Sequence, residues 1–238
     1  GPVAEGILLR ALQETGQLRT LPPKVSAAAP AQATISSSAV DALLGIYGCS
    51  ARPIKATSPD SQQVDLSIWS AKAKAWEPLC TGLRLCSDGW WWSDAQLRTQ
   101  YRWEQAEGRR YLLARETATA GHYGVATPVA QQMQRAPAPL PPQWSARLGS
   151  TWLLANEAPD SIPLAMGVGA ATLQELPDLP GYLFWDDSQF LRPLSADRAG
   201  MAVQVPHNAG RDLVELVVHT HDKDEWMHAA GWVYRRHD

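Results

Sequence analysis

Between residues 64 and 68 the chain reads Val-Asp-Leu-Ser-Ile, apolar and polar side chains alternating with a period of two. A helix cannot gather such a pattern on one side, whereas a strand with one wet face does so automatically. The motif recurs in short runs punctuated by turn residues. Leu83 and Leu85 precede Ser87-Asp88-Gly89, and Trp90 to Ser93 follow; Gln100–Glu104 and Arg110–Arg115 flank Glu107-Gly108; Tyr123–Val129 adds a further run. Gly after a small polar or acidic residue is the usual chemistry of a tight hairpin. A chain built this way is confined to antiparallel architectures.

The same reading continues to the C-terminus. Thr151–Ala155, Leu164–Val168, Tyr182–Trp185, Phe190–Leu194, Ala202–Val205, Leu213–Val218 and Gly231–Arg235 are expected strands, with Asn208-Ala209-Gly210 as a turn. Prolines at 137, 139, 141 and 142 break the series into two comparable parts. The expected fold is therefore mainly β: antiparallel barrel or sandwich units, a lipocalin-like barrel among them, with a short N-terminal helix. Residues 1–38 are read as that helix plus a Pro/Ala/Ser linker, 39–136 as a first β unit and 143–238 as a second.

The helix is expected from Val3 to Gly16, where Ile7, Leu8, Ala11 and Leu12 recur at helical spacing and Gly16 serves as C-cap. Leu21 to Ser38 is linker by composition. Ser38 is placed as the N-cap of a brief turn carrying Val40, Leu43 and Leu44, and Gly45 breaks it before the first strand. Gly1-Pro2 has the look of residues left by tag cleavage, and no signal peptide precedes the helix.

A formal charge of −3 and a pI near 6.1 give no basic footprint for nucleic acid. No apolar run reaches the roughly 20 residues needed to span a bilayer as a helix. Cys49, Cys80 and Cys86 include no CxxC pair; buried free thiols are the first reading, a Cys80–Cys86 disulfide across a hairpin the second. Eleven tryptophans stand against two phenylalanines. Packing in strands explains them first, and a row of stacking platforms for sugar or peptide second.

No complete catalytic motif is present. Gly-x-Ser-x-Gly and Ser-x-x-Lys are absent, His122-Tyr123-Gly124 has no partner motif, and Gly167 and Gly169 lack the third glycine of a nucleotide loop. The candidate binding residues are Trp90, Trp91, Trp92 and Trp103, Arg211 in Gly210-Arg211-Asp212-Leu213, and His219 with His221. Alternation puts Trp90 and Trp92 on one side and Trp91 on the other, so at least one ring is expected to leave the core or sit at an interface; burial against the helix, the linker or another domain is the first reading, a ligand platform the second. His219 and His221, at i and i+2, share a strand face, a spacing that suits a metal. With His228, Asp222, Asp224 and Glu225 they are read first as a solvated, charged hairpin loop. No catalytic residue, metal or cofactor is assigned.

Glu5-Gly6-Ile7-Leu8-Leu9-Arg10-Ala11-Leu12, then Leu21-Pro22-Pro23, then Leu43-Leu44-Gly45-Ile46-Tyr47-Gly48 resemble the last helix, linker and "L-x-G-x-Y" lead-in to the trailing β domains of beta-lactamase/penicillin-binding-protein-like serine hydrolases, the D-aminopeptidase and esterase group. Trp144 through Gly210–Leu213 to Trp232-Val233-Tyr234 resembles further accessory β structure. The resemblance implies a non-catalytic region that braces the catalytic domain of the same parent protein, lends a loop to its substrate cleft, is inactive alone and is periplasmic or secreted. The alternative is a stand-alone barrel holding an apolar, glycan or peptide ligand.

Overall fold

A computed structural model describes residues 2–20, 30–49, 52–93, 99–116, 126–157, 164, 169–203, 205, 215–229 and 231–237. Five expected features lie outside those residues: the Leu21-Pro22-Pro23 segment, His122-Tyr123-Gly124, the Leu164–Val168 strand beyond Leu164 itself, the Asn208–Gly210 turn and Gly210–Leu213 with Arg211.

The fold is mainly β, as the alternation requires. Eight antiparallel strands close a first barrel: β1 (Gly45–Gly48), β2 (Ile54–Thr57), β3 (Gln63–Ser70), β4 (Ala75–Leu85), β5 (Trp91–Trp92), β6 (Thr99–Ala106), β7 (Arg109–Glu116) and β8 (Thr127–Gln132). Closure comes from β8 returning to β1, with Tyr47 opposite Gln132 and Gly48 opposite Gln131. Eight more strands close a second: β9 (Thr151–Leu154), β10 (Ala170–Gln174), β11 (Leu183–Trp185), β12 (Gln189–Pro193), β13 (Arg198–Met201), β14 (Glu215–His221), β15 (Asp224–Ala229) and β16 (Trp232–His237). Each is an up-and-down meander, which leaves no open sheet edge. The proline run falls between β8 and β9.

Compact packing divides the chain differently. One unit comprises 1–45, 55–68 and 77–130; the other comprises 46–54, 69–76 and 131–238.

In the first unit, α1 (Pro2–Glu14) ends as expected at Gly16, whose φ of +74° suits glycine. Its apolar stripe is turned from the expected setting: Leu9 is buried, while Ile7 and Leu8 are 66% and 60% exposed. The cap of α2 (Ser37–Asp41) is Ser36 rather than Ser38; its Oγ accepts from the Ala39 amide at 3.3 Å. In a run of three serines the one followed by Val40 at its fourth position wins, because that register buries the valine. Part of the expected linker is ordered by β pairing. Ala33 donates to Leu85 and Ser87 to Ala31, both at 2.8 Å, so the stretch lies along the end of β4. The β6–β7 hairpin turns at Glu107 and Gly108, with φ of 51° and 73°, the mirror-image geometry that matches strand twist.

The second unit is organised around the second barrel's interior. Trp144, Trp152, Leu173, Leu183, Leu191, Leu216 and Met227 are all fully buried there, with Trp185 and Tyr234 beside them. An eight-stranded barrel is just wide enough for side chains to fill, and these fill it. The strand expected at Ala202–Val205 is instead β13, four residues earlier, because Val203 belongs to a separate apolar cluster with Phe184, Phe190 and Trp69. β10 and β15 were not expected. Their residues, Ala-Ala-Thr-Leu-Gln and Asp-Glu-Trp-Met-His-Ala, each hold a single strand-favouring residue, Thr172 and Trp226, among Ala, Asp and Glu, which are depleted in strands.

α3 (Pro142–Ser145) starts on Pro142, where a missing amide costs nothing. It delivers Trp144 to the core, and the indole N–H donates to Ser195 O at 2.7 Å. Arg147 stacks on that ring at 4.9 Å and donates to Glu225 Oε1 at 2.9 and 2.8 Å and to Ala196 O at 2.7 Å. Arg236 donates to the other carboxylate oxygen, Glu225 Oε2, at 2.7 Å and to Ala146 O at 3.0 Å. Burial alone raises the Glu225 pKa, but the bonds and charges of the two arginines outweigh it and hold the group below its ordinary value.

Among the described residues no helix is long and apolar enough to cross a membrane.

Candidate functional site

Trp90, Trp91 and Trp92 are all buried, at 5%, 3% and 3% exposure, so none of the three rings faces water. The reason is the brevity of β5. Only Trp91 and Trp92 pair with β4, opposite Leu85 and Arg84, and Trp91 is met edge-on by half-buried Trp103, ring centres 5.2 Å apart at 77°. Trp90 precedes the strand in the Ser87–Gly89 turn, its amide donating to Asp88 Oδ1 at 3.1 Å. Arg115 and Arg102 lie 3.9 and 5.0 Å from its ring centre. Arg115 is tied to Asp88 at 3.0 Å and to Gln100. This is a sealed aromatic–cation cluster. Its neighbours Cys80 and Cys86 are buried free thiols, as is Cys49, and burial pushes the Cys80 thiol up.

His219 and His221 lie on the second barrel. The expected hairpin is present and its tip, residues 219–223, is exposed; its arms are regular strands, β14 and β15, turning at Asp222 and Lys223 with φ of 50° and 75°. Leu216, Val218, Met227 and Ala229 point inward and are buried. Val217, His219, His221, Asp224, Trp226 and His228 therefore point outward.

Register then brings unlike residues into rows across four strands. His219 stands opposite Trp226, Trp226 opposite Arg235, and Arg235 opposite Leu153. In the next row Val217, His228 and Val233 are aligned. Leu153 is 40% exposed, a large apolar side chain left in water. Arg235 holds Asp224 at 2.7 Å and sits 5.8 Å from the Trp226 ring centre. The Trp226 indole N–H is shielded and has no acceptor among the described residues. The His219 and His228 rings lie 4.8 Å apart, tilted 39°. His221 Nδ1 faces the neighbouring Asp222 carboxylate at 2.9 Å instead.

The outer face of β14, β15, β16 and β9 is thus the candidate site. It unites His219 and His221 with His228, named beside them in the sequence, and with Trp226, Arg235 and Leu153, none of which the sequence reading had singled out as a binding residue. The signal was present as i, i+2 spacing of Trp226 with His228 and of Val233 with Arg235, but without a hairpin register it pointed nowhere. Trp90, Trp91, Trp92 and Trp103 belong to the other compact unit, and Arg211 lies outside the described residues. Among the described residues no group of three His, Cys, Asp or Glu side chains converges as for a metal ion.

Comparison with protein-family models, with curated proteins and with solved structures found no match to this chain.

Proposed function

We propose that this chain is a non-catalytic β-barrel module that acts through contact with a protein partner on the outer face of β14, β15, β16 and β9. Following the order of parts in the sequence, we place that partner as the catalytic domain of a beta-lactamase-like serine hydrolase, whose accessory region this chain would be. The reading rests on one observation. The second barrel's interior is filled by Trp144, Trp152, Trp185, Tyr234 and Met227, while Leu153, Arg235, Trp226 and His219 form a continuous row outside. Large aromatic and guanidinium side chains over an apolar neighbour are the residue types that carry interface energy. The filled interior weighs against the alternative of a barrel holding an apolar ligand inside.

The coding sequence upstream of Val3 is expected to contain Ser-x-x-Lys. In that longer protein, Trp226→Ala with Arg235→Ala should lower kcat/KM or the Tm of the catalytic domain while leaving the barrel folded. An initiator methionine directly upstream overturns the hydrolase assignment. Unchanged kinetics and Tm in the double variant overturn the role of this face.

A further inference from the structure

On the same outer face, two imidazoles from adjacent strands are held side by side. His219 on β14 and His228 on β15 are diagonal neighbours in the antiparallel register, since His219 stands opposite Trp226 and His228 opposite Val217. Both are exposed, and their ring centres are 4.8 Å apart. We infer that this pair is a binding site for a late first-row divalent ion, with Cu²⁺ preferred.

The geometry carries the argument. Imidazole nitrogens bind such ions at about 2.0–2.1 Å, so two on one ion stand about 3–4 Å apart. Rings whose centres are already 4.8 Å apart reach that arrangement by side-chain rotation alone. The strands are fixed by six opposed residue pairs, from Leu216–Ala229 to His221–Asp224. The second imidazole therefore binds at high effective concentration once the first has engaged.

The sequence spacing pointed to His219 with His221, but that pair is not the one the register assembles. His221 is turned to Asp222, and the cross-strand His228 takes its place. With no third His, Cys, Asp or Glu converging among the described residues, the ion keeps water in its remaining positions, and the site is open. Neutral imidazole ligands favour copper over nickel and zinc in the usual order of divalent affinities. Binding displaces two waters from the ion and, at neutral pH, needs no change of oxidation state. The inference does not depend on the partner proposed above.

The test is titration of the whole chain, stripped with EDTA, with Cu²⁺, Ni²⁺ and Zn²⁺ in a non-chelating buffer, followed by calorimetry and by tryptophan fluorescence. One Cu²⁺ per chain is expected, bound more tightly than Ni²⁺ or Zn²⁺, with quenching reduced in Trp226→Phe because that ring stands opposite His219. His219→Ala and His228→Ala should each weaken Cu²⁺ by about tenfold or more through loss of the chelate. His221→Ala and His237→Ala should leave it within about twofold, since neither contributes a ligand. All four side chains are exposed, so circular dichroism should show every variant folded. Cu²⁺ should also raise the Tm of the parent chain and not of the His219→Ala/His228→Ala variant, because an ion bridging two strands favours the folded state. Equal Cu²⁺ affinity in that double variant, or a loss produced equally by His221→Ala, overturns the site.

Discussion

The two compact units each set tryptophan beside arginine on antiparallel strands, and they use the pair in opposite ways. Around Trp90, two guanidinium groups lie on the ring, Arg115 is anchored by Asp88 and Gln100, and the indole keeps 5% of its exposure. Around Trp226 a single guanidinium stands at 5.8 Å, and the Arg235–Asp224 pair that holds it is itself 54% and 40% exposed. In the first the ring is covered, although Arg102 and Asp88 keep 38% and 31% of their exposure; the second remains in solvent, where such contacts are weak. Residue type does not separate a fastening from a contact surface. Access to water does.

The largest expected effect tests that contrast directly. Trp90→Ala removes a buried indole and leaves a cavity, at a cost of about 3–5 kcal/mol. Trp226→Ala, on a half-buried outer position, should cost no more than about 1 kcal/mol. Urea unfolding with the slope unchanged reads both. Similar losses for the two would erase the distinction between sealed cluster and open face.

A smaller effect separates the two sides of β15. Glu225 and Trp226 are neighbours in sequence, yet the first points to Arg147 and Arg236 and the second to solvent. Glu225→Gln weakens the hold on two guanidinium groups, the buried one of Arg147 and the partly buried one of Arg236. About 2 kcal/mol is expected, below the value for a fully buried pair because the carboxylate is about one-fifth exposed. The pH dependence has a definite sign. The folded-state pKa lies below the unfolded value of about 4.5, so the contribution is complete above that value and fades as pH falls through the lower one. Acid unfolding of the parent chain and Glu225→Gln should therefore converge at low pH and diverge above about pH 5. A stability difference that persists unchanged into acid would remove the ionic account.

Much of the architecture was legible because inward and outward residues obey a period of two. Val64 and Leu66 are fully buried as their alternation demanded, and Glu107-Gly108 marked its hairpin outright. The failures have physical causes. β15 carries charge on both faces because Glu225 is neutralised by partners 78 residues back and 11 ahead in sequence, which no local pattern records. The Trp90–Trp92 run, for which burial was the first reading, is indeed buried, but by Trp103 and two arginines from β6 and β7, partners that its own sequence does not show. The outer face of the second barrel was half visible in His219 and His221. Its remaining members needed the register of two hairpins and of the closing β16–β9 pair, and register depends on turn length and on partner strands.

The smallest expected effect compares the two hairpin turns themselves. Glu107-Gly108 and Asp222-Lys223 adopt the same left-handed pair of φ values, 51° and 73° against 50° and 75°. In the first, glycine occupies the second position without strain; in the second, a lysine does so and crowds its own Cβ. Lys223→Gly relieves that crowding at some cost in unfolded-chain entropy, leaving a net gain of about 0.5 kcal/mol. Gly108→Lys, the reverse exchange, should lose at least as much. Thermal unfolding resolves shifts of this size when both variants are compared with the parent in one buffer. If Lys223→Gly is destabilising, the lysine side chain contributes something at the tip that outweighs its backbone strain, and the turn bearing His219, Trp226 and His228 is then held by more than its geometry.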